Sequence, residues 1–282
     1  MATERTGFLG MKATLALVLV TIWGCSAAGS PRPGGAIADM ADHAECGVWS
    51  ERYGIIGDDS PKIRNEGGEV WIWAGGEEED PDPENAKWFD FTGAPMDPGN
   101  LQYGLGMDAI PSIDEPVFVS PDHPDLMAVP PSPYRPCERP RHNDEIMVLG
   151  HVENGQARAY PLALLDRHEI VNDQANGEPF AVSWCPLADL GAVHNRMYGD
   201  EVDEWGVSGY VYENTFFIYD RATESLWYPL EGDEGFTAVS GPRAGEEVPY
   251  TLLEPLPLGE WREKHPDTVV LLADRSQVEV TR

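Results

Sequence analysis

A cysteine and a histidine are the residues of this chain whose types and positions could carry chemistry. Cys185 ends the run of residues 180–185, in which strand alternation places the bulky side chains on one face and the small ones, with the cysteine, on the other. His168 lies before that run, where a histidine can serve as a base or as a ligand of a soft metal ion. A buried cysteine that packs as a small apolar residue, and a structural histidine, are the alternatives.

Two kinds of chemistry use this pair, and a third interpretation uses neither residue. In the first, Cys185 and His168 bind a soft metal ion, with copper as the cofactor, because a thiolate and an imidazole suit such ions. Two ligands make a poor site, and the nearest residues that could supply a third are Glu169, Asp173 and His194. In the second, Cys185 is a nucleophile and His168 is its base. In the third, the protein is a structural or interaction module.

The sequence favours a binding protein over an enzyme and assigns no catalytic residue. None of the patterns Gly-x-x-x-x-Gly-Lys, Gly-x-Ser-x-Gly and His-Glu-x-x-His occurs. His194 is a weaker candidate ligand, and His265 follows a predicted helix whose carboxyl end favours a cation, so we interpret it as structural. Three other polar residues fall at predicted turns, where capping or an Asp–Arg pair explains them: Asp173, Asp220 and Arg221.

The elements that must position these residues are mainly strands. Asn154-Gly155 and Asn176-Gly177 each separate two apolar runs, which is a strong signal for a β-hairpin. Further hairpins are predicted around residues 199–200 and 213–214, and short helices at 161–167 and 258–264. The predicted fold class is therefore mainly β (α+β), an antiparallel barrel or sandwich built from successive hairpins with a few short helices.

Seven ordered motifs give the chain a family resemblance. They are NGQARAYP at 154–161, HEIVND at 168–173, CPL at 185–187, GVSG at 206–209, YDR at 219–221, SLW at 225–227 and HPDT at 265–268. Together they resemble the domain-of-unknown-function family DUF3179 over residues 100–272. That family usually reads Cys-Pro-Leu-Cys where this chain has Ala188 as the fourth residue. The resemblance implies no activity, and a role that needs two thiols does not fit this chain.

The N-terminal segment predicts export. Lys12 precedes an apolar stretch that is shorter than the roughly 20 residues a membrane-spanning helix needs, and Gly24-Cys25-Ser26 follows it. This pattern resembles the lipobox of bacterial lipoproteins, in which the cysteine is acylated. We therefore predict a signal peptide at residues 1–25, a flexible linker at 26–45 and one globular domain at 46–282. Cleavage near Ala27-Ala28 by the ordinary signal peptidase is the alternative.

These features predict an extracytoplasmic protein anchored to a bacterial membrane only through the lipid on Cys25. A soluble secreted or periplasmic protein is the alternative. With Cys25 acylated, three cysteines remain and one must stay free. Three pairings are open, and we predict a disulfide between Cys46 and Cys137, because both fall in loop-rich regions where a cross-link most restricts the unfolded chain. Cys185 is then the free thiol.

The charge balance limits the partners. The chain has 282 residues with 49 acidic and 19 basic side chains, a formal net charge of −30. Such a surface repels nucleic acid and anionic lipid headgroups, so the sequence excludes nucleic acid as a partner and leaves any protein partner unknown. Adaptation to a salty exterior explains the acidity better than a cation-binding surface does, because the acidic residues are spread along the chain.

Overall fold

Strands dominate the structure, a computed structural model that describes residues 55–75, 86–135 and 139–279. All of these residues belong to the compact unit His43–Arg282. The strands are, in chain order, β1 (Ile63–Glu66), β2 (Glu69–Gly75), β3 (Lys87–Asp90), β4 (Gln102–Tyr103), β5 (Pro116–Val119), β6 (Met147–Glu153), β7 (Gln156–Pro161), β8 (Ile170–Ala175), β9 (Glu178–Cys185), β10 (Leu190–Asn195), β11 (Met197–Tyr198), β12 (Glu201–Val202), β13 (Trp205–Tyr212), β14 (Thr215–Asp220), β15 (Leu226–Tyr228), β16 (Gly235–Ser240), β17 (Glu247–Leu253), β18 (Leu256–Pro257) and β19 (Val269–Asp274).

Helices are few and short in this part of the chain. The α-helices are α1 (Leu162–His168), α2 (Leu258–Lys264) and α3 (Arg275–Glu279), and the 3₁₀ turns are Pro98–Asn100, Pro124–Ala128 and Asn143–Glu145. The helix predicted at 258–264 is confirmed, and the one predicted at 161–167 is shifted by one residue because Pro161 precedes the first turn. No helix among the described residues is long and apolar enough to cross a membrane.

The largest sheet is an antiparallel half-barrel of nine strands in the order β4-β13-β14-β15-β16-β17-β10-β9-β8. Most neighbours in it are also neighbours in sequence, as a series of hairpins requires. Two smaller antiparallel sheets, β1-β2-β3 and β11-β12, accompany it. The predicted fold class, mainly β and built from hairpins, is confirmed.

Two of the predicted hairpin turns have the backbone geometry that their sequences require. Asn154 and Gly155 join β6 to β7 with φ values of 47° and 79°, and Asn176 and Gly177 join β8 to β9 with φ values of 50° and 90°. Both central residues therefore lie in the left-handed region, which asparagine and glycine tolerate best. These turns fix the register of the strand pairs that carry most of the candidate residues.

A five-stranded sheet has the order β18-β6-β7-β19-β5 and contains the one departure from antiparallel pairing among the described strands. In it, β19 lies between β5, which it pairs antiparallel, and β7, which it pairs in parallel through Val269 and Val270. The sequence did not predict this arrangement, because the two strands that flank β19 precede it by more than 100 residues in the chain.

Candidate functional site

Cys185 lies at the end of β9, a central strand that is buried on both faces. Phe180, Val182 and Trp184 pack into one hydrophobic cluster, whereas Ala181 and Cys185 pack into another. The predicted alternation is confirmed, but the face that carries the cysteine is a second core. Cys185 is a free thiol that is only 1% exposed, and its Sγ donates to the carbonyl of Asn214 at 3.7 Å.

Glu169 ends helix α1 and turns its backbone toward β8. The helix begins with four residues that favour helix formation, at positions 162–165. It ends at Glu169, which adopts the left-handed conformation with φ 56°. Its amide donates to the carbonyl of Leu165 at 2.7 Å, and its own carbonyl accepts from the amide of Trp184 at 2.8 Å. A non-glycine residue in this conformation costs about 1–3 kcal/mol, so the surrounding structure must hold it there.

The side chains of Glu169 and Cys185 line the same small cavity. Its free volume of about 20 Å³ is enough for a single water molecule. The remaining walls are mostly apolar and come from the loop after β4 and from β13, β14 and the turn after β9; they are Gly104, Leu105, Ile110, Leu187, Val207, Gly209, Tyr210, Val211 and Phe216. Glu169 as a whole is 6% exposed. Its carboxyl makes no hydrogen bond or ion pair to any described residue.

Burial keeps both groups protonated at neutral pH. Burial, and then the charge of Asp166, raises the pKa of Glu169 to about 8. Burial, and then the charge of Glu169, raises the pKa of Cys185 to about 12. A carboxyl whose pKa lies near 8 can exchange a proton readily close to physiological pH, which is the property of a general acid or base.

Gly209 allows the loop after β4 to close the cavity. Its φ is 85°, and a Cβ at this position would meet the carbonyl oxygen of Leu105 at 1.8 Å, so a side chain does not fit. The amide of Gly104 donates to the carbonyl of Gly209 at 3.0 Å. Leu105 lines the cavity and is itself 46% exposed, so it stands between Cys185 and the solvent.

His168 does not line this cavity. It is the last residue of α1, is buried, and its Nδ1 group donates to the carbonyl of Pro111 at 2.8 Å. Among the described residues no group of three or more His, Cys, Asp or Glu side chains is arranged to hold a metal ion. The copper site of Cys185 and His168 therefore stays a prediction, and of its three suggested additional ligands only Glu169 lies in the cavity with the cysteine.

His194 is buried as a neutral ring in the aromatic part of the core. It packs edge-on against Trp205 and Phe236 with ring-centre distances of 4.6 and 5.2 Å. Neither ring nitrogen has a hydrogen-bond partner among the described residues. Burial lowers the pKa of His194 to about 3. The sequence correctly predicted that His194 points away from Val193, which belongs to another core cluster. The face of β10 that carries His194 is also packed in the core.

The polar residues predicted at turns make pairs, and most are buried. Asp173 accepts from Arg158 and from the Tyr160 hydroxyl, the latter at 2.7 Å. Asp220 accepts from Thr223 and from Trp227 Nε1 at 2.7 and 2.8 Å. Asp173 lies within β8 rather than at the predicted turn, and its ion pair is with Arg158. Arg221 forms ion pairs with three acids, two in the loop before β5 and one just before β13: Asp108, Asp114 and Glu204.

His265 follows α2 and has the structural role predicted for it. Its amide donates to the carbonyl of Trp261 at 3.0 Å, and its ring lies 4.0 Å from the Trp261 ring centre. Cys25, Cys46 and Cys137 lie outside the described residues. The acylation of Cys25 and the Cys46–Cys137 disulfide therefore stay predictions.

Sequence reasoning undervalued Glu169 and missed Asp166. Asp166 is buried on α1 and accepts from Trp184 Nε1 at 2.7 Å and from Arg135 Nη1 at 3.0 Å. Its charge is one of the two causes of the raised Glu169 pKa. A helical spacing of three residues between Asp166 and Glu169 was readable from the sequence, and such spacing places two side chains on neighbouring surfaces of a helix.

The fold and the cavity define a mainly antiparallel β protein with a buried thiol–carboxyl pair. The sequence model of DUF3179, described as a protein of unknown function, matches residues 107–280. Because this match spans more than half of the chain, the protein belongs to the DUF3179 family. No curated protein and no solved structure matches the chain.

Proposed function

We propose that this is an exported, lipid-anchored protein whose functional centre is the cavity shared by Cys185 and Glu169, with Cys185 as a nucleophile and Glu169 as its base. The observation that carries the proposal is one small cavity lined by both a free thiol and a carboxyl whose pKa is raised to about 8. Groups with strongly shifted pKa values that meet in a cavity are typical of functional sites.

Segments that carry the family resemblance also meet at this cavity. Glu169 belongs to the HEIVND motif, Cys185 and Leu187 to the CPL motif, and Val207 and Gly209 to the GVSG motif. Three stretches that begin at residues 168, 185 and 206 therefore contribute to a space the size of one water molecule. Core packing alone does not require a carboxyl and a thiol at such a meeting point.

The step that these groups support is proton transfer from the thiol as it attacks. Cys185 gives its proton to the Glu169 carboxylate, and its sulfur forms a bond to an electrophilic atom of the substrate. The bond from that atom to the leaving group breaks, and the leaving group takes the proton back from Glu169. With a pKa of about 8, half of the Glu169 groups are carboxylate at that pH. Because the cavity holds only one water molecule, a reagent must displace Leu105 to reach the thiol.

Thiol labelling with a small alkylating reagent tests this role. Labelling is measured for the wild type and for Cys185→Ser. Subtracting the labelling of the variant removes the contribution of the other cysteines and leaves the rate at Cys185. If Glu169 is the base, the rate rises with a midpoint near pH 8, and Glu169→Gln slows it. If Glu169 acts only through its charge, Glu169→Gln lowers the pKa of Cys185 and speeds labelling. Faster labelling of Glu169→Gln contradicts the proposal. The control is Glu178→Gln, which removes an exposed carboxyl from β9, the strand that carries Cys185.

A copper site with Cys185 as the sulfur ligand is the second candidate. A thiol and a carboxyl that both hold protons in a shared cavity can exchange them for a cation, because a metal ligand must be deprotonated. The carboxylate is a harder ligand than copper prefers, which favours the thiol reaction over this candidate. Titration with Cu(I) against a competing chelator separates the two. Loss of one bound equivalent in Cys185→Ser supports copper, and equal binding by both proteins excludes it at this position.

A further inference from the structure

The thiol cavity reaches the solvent between aliphatic side chains. Most of its lining is buried, and the side chains of the lining that keep solvent exposure are those of Leu105, Ile110 and Leu187. We call these three side chains the mouth of the cavity. Ile110 and Leu187 are partly buried and pack against the core cluster that contains Cys185. Leu105 is 46% exposed and is therefore the member of the mouth that the protein covers least.

The backbone that carries Leu105 is held from two sides. The amide of Gly104 donates to the carbonyl of Gly209 at 3.0 Å, and Gly209 belongs to β13. The amide of Met107 donates to the carbonyl of Ala74 at 2.7 Å, and Ala74 belongs to β2. Two strands of different sheets thus hold the short segment in which the leucine lies.

Close backbone contacts add to these hydrogen bonds. A Cβ on Gly209 would meet the carbonyl oxygen of Leu105 at 1.8 Å, and a Cβ on Gly75 would meet Gly106 Cα at 2.2 Å. The backbone of the segment is therefore packed against glycines of both strands. The Leu105 side chain, in contrast, is nearly half exposed, and exposed side chains change rotamer within picoseconds to nanoseconds. The cavity can thus open by rotation of one side chain without movement of the loop.

A mouth of this kind selects reagents by size and by charge. Rotation of Leu105 leaves an opening about as wide as one aliphatic side chain. A charged group that passes between aliphatic side chains loses its hydration and gains no partner there, which is costly. The surface of the protein acts in the opposite sense on cations, because a net charge of −30 attracts them. The mouth and the surface therefore make opposite predictions for a cationic reagent.

We propose that Leu105 controls access to Cys185, and that the group which reaches the thiol is a small uncharged electrophile or the slim uncharged end of a larger molecule. This inference rests on the proposed role of Cys185 as a nucleophile and adds a class of substrate to it. Leu105 acts before the chemical step, since it admits the reagent and takes no part in proton transfer.

Two thiol reagents of equal length and different charge test this selection. Propyl methanethiosulfonate is neutral, and aminoethyl methanethiosulfonate is its cationic counterpart. In both reactions the Cys185 sulfur bonds to the sulfenyl sulfur of the reagent, the bond from that atom to the sulfonyl group breaks, methanesulfinate leaves, and the thiol proton passes to the buffer. Peptide mass spectrometry of the full chain follows Cys185 alone, and each rate is divided by the rate of the same reagent with free cysteine.

The neutral reagent should label Cys185 at least about tenfold faster than the cationic one after this correction, because only the cation pays for desolvation at the mouth. A cationic reagent that labels as fast as the neutral one, or faster, overturns the proposal. The attraction of the acidic surface would then decide access.

Substitutions of Leu105 test the mouth directly. The minor state of a two-state element is typically populated at about 0.1–10%, so Leu105→Ala, which leaves the mouth open, should speed labelling by the neutral reagent at least about tenfold. Leu105→Trp fills the mouth and should slow labelling about threefold or more. Leu252→Ala is the matched control, because Leu252 is 55% exposed on β17 and lies outside the lining. Equal rates for Leu105→Ala and Leu252→Ala overturn the proposal.

Unfolding of the chain also exposes Cys185, and Leu105→Trp separates that route from the mouth. A variant that destabilises the fold labels faster through unfolding, so slower labelling of Leu105→Trp comes from the mouth, and labelling at the wild-type rate or faster contradicts it. The proposed base fails on a different result, namely faster labelling of Glu169→Gln. Because access precedes proton transfer, Leu105→Ala should speed labelling by the same factor in the Glu169→Gln background as in the wild type.

Discussion

The Glu169 carboxyl and the Cys185 thiol line one water-sized cavity, and the charge of Glu169 makes the thiol harder to ionise. Because the charge of Glu169 is one cause of the raised Cys185 pKa, the pair resists carrying two negative charges. The first proton leaves Glu169 near pH 8, and the thiol proton leaves only near pH 12. Protonation of the carboxyl is therefore coupled to the stability of the fold as well as to the proposed chemistry.

Glu169→Gln should stabilise the protein at neutral and alkaline pH. The folded pKa of about 8 lies above the ordinary value of 4.5, so the contribution of Glu169 to stability is full below about pH 4.5 and is lost as pH rises through 8. The neutral amide does not show this loss. Urea unfolding at about pH 8 should give the variant roughly 1–3 kcal/mol more stability than the wild type, and little difference near pH 4.5. Glu178→Gln serves as the exposed control, and an unchanged difference across pH contradicts the assignment.

His194→Leu should abolish a loss of stability in acid. The folded pKa of about 3 lies below the ordinary 6.5, so the folded state takes up fewer protons than the unfolded one between these values. Stability therefore falls as pH drops below about 6.5. The leucine variant should lack this fall and gain on the order of 2–4 kcal/mol relative to the wild type near pH 4.

The stability that His194→Leu gains at neutral pH should be smaller than its gain near pH 4. At neutral pH the gain comes only from removing two buried nitrogens that have no hydrogen-bond partner among the described residues. Denaturant unfolding at several pH values measures both effects. His142→Leu replaces an exposed histidine and should leave the pH dependence as it is. A parallel pH profile for His194→Leu and the wild type would show that His194 is not buried as a neutral ring.

Arg135→Ala should destabilise the protein by about 2–4 kcal/mol. Its guanidinium donates to both oxygens of Asp166, whose side chain is fully buried and whose other partner among the described residues is Trp184 Nε1. The variant leaves a buried carboxylate short of hydrogen bonds. Arg262→Ala, at an exposed ion pair, should cost less than about 1 kcal/mol. Asp166→Asn combined with Arg135→Ala should recover part of the loss, and thermal or urea unfolding measures all three.

Cys25→Ala should abolish acylation and release the protein from the membrane fraction. The basis is the apolar stretch that ends in Gly24-Cys25 and the small-residue segment behind it. Metabolic labelling with a fatty acid and fractionation of the cells measure both effects. Cys185→Ser, which removes another cysteine, should still be labelled. A Cys25→Ala protein that remains membrane-bound and is processed normally is incompatible with a lipoprotein.

A peptide map without reduction should contain one cross-linked pair, Cys46 with Cys137. Closing so long a loop is worth about 4–5 kcal/mol in the chain-entropy description. Cys46→Ser and Cys137→Ser should therefore lower stability by similar amounts, and reduction of the wild type should do the same. A cross-link that includes Cys185 would contradict both this pairing and the free thiol in the core.

The fold class was readable from the sequence because its signals are local. Asn154-Gly155 and Asn176-Gly177 specify two turns by backbone geometry alone, and strand alternation sorted the side chains of β9 onto two faces. What alternation cannot show is whether the second face meets solvent or another sheet. The sequence left open whether Cys185 faces a pocket or packs in the core; it packs in a second core and lines a small cavity there, because β13 and β14 cover that face.

The composition of the site depended on contacts between distant segments and was only partly readable. His168 and Glu169 are adjacent in sequence, but the left-handed turn at Glu169 directs one side chain to Pro111 and the other into the cavity. A histidine is the more usual base, so general chemistry favoured His168 as the partner of Cys185, whereas Glu169 is the neighbour that lines the cavity with the cysteine.

The position of β19 sets the order in which this protein can fold as it emerges from a ribosome. The strand occupies an inner position of its sheet, between β5 and β7, yet it follows every other described strand in the chain. Until it arrives, β5 and β7 each present an unpaired edge that can join other chains. Completion of the sheet must then close loops of more than 100 residues, which is a slow step. A chaperone that binds these edges must do so before Val269 and Val270 pair with β7.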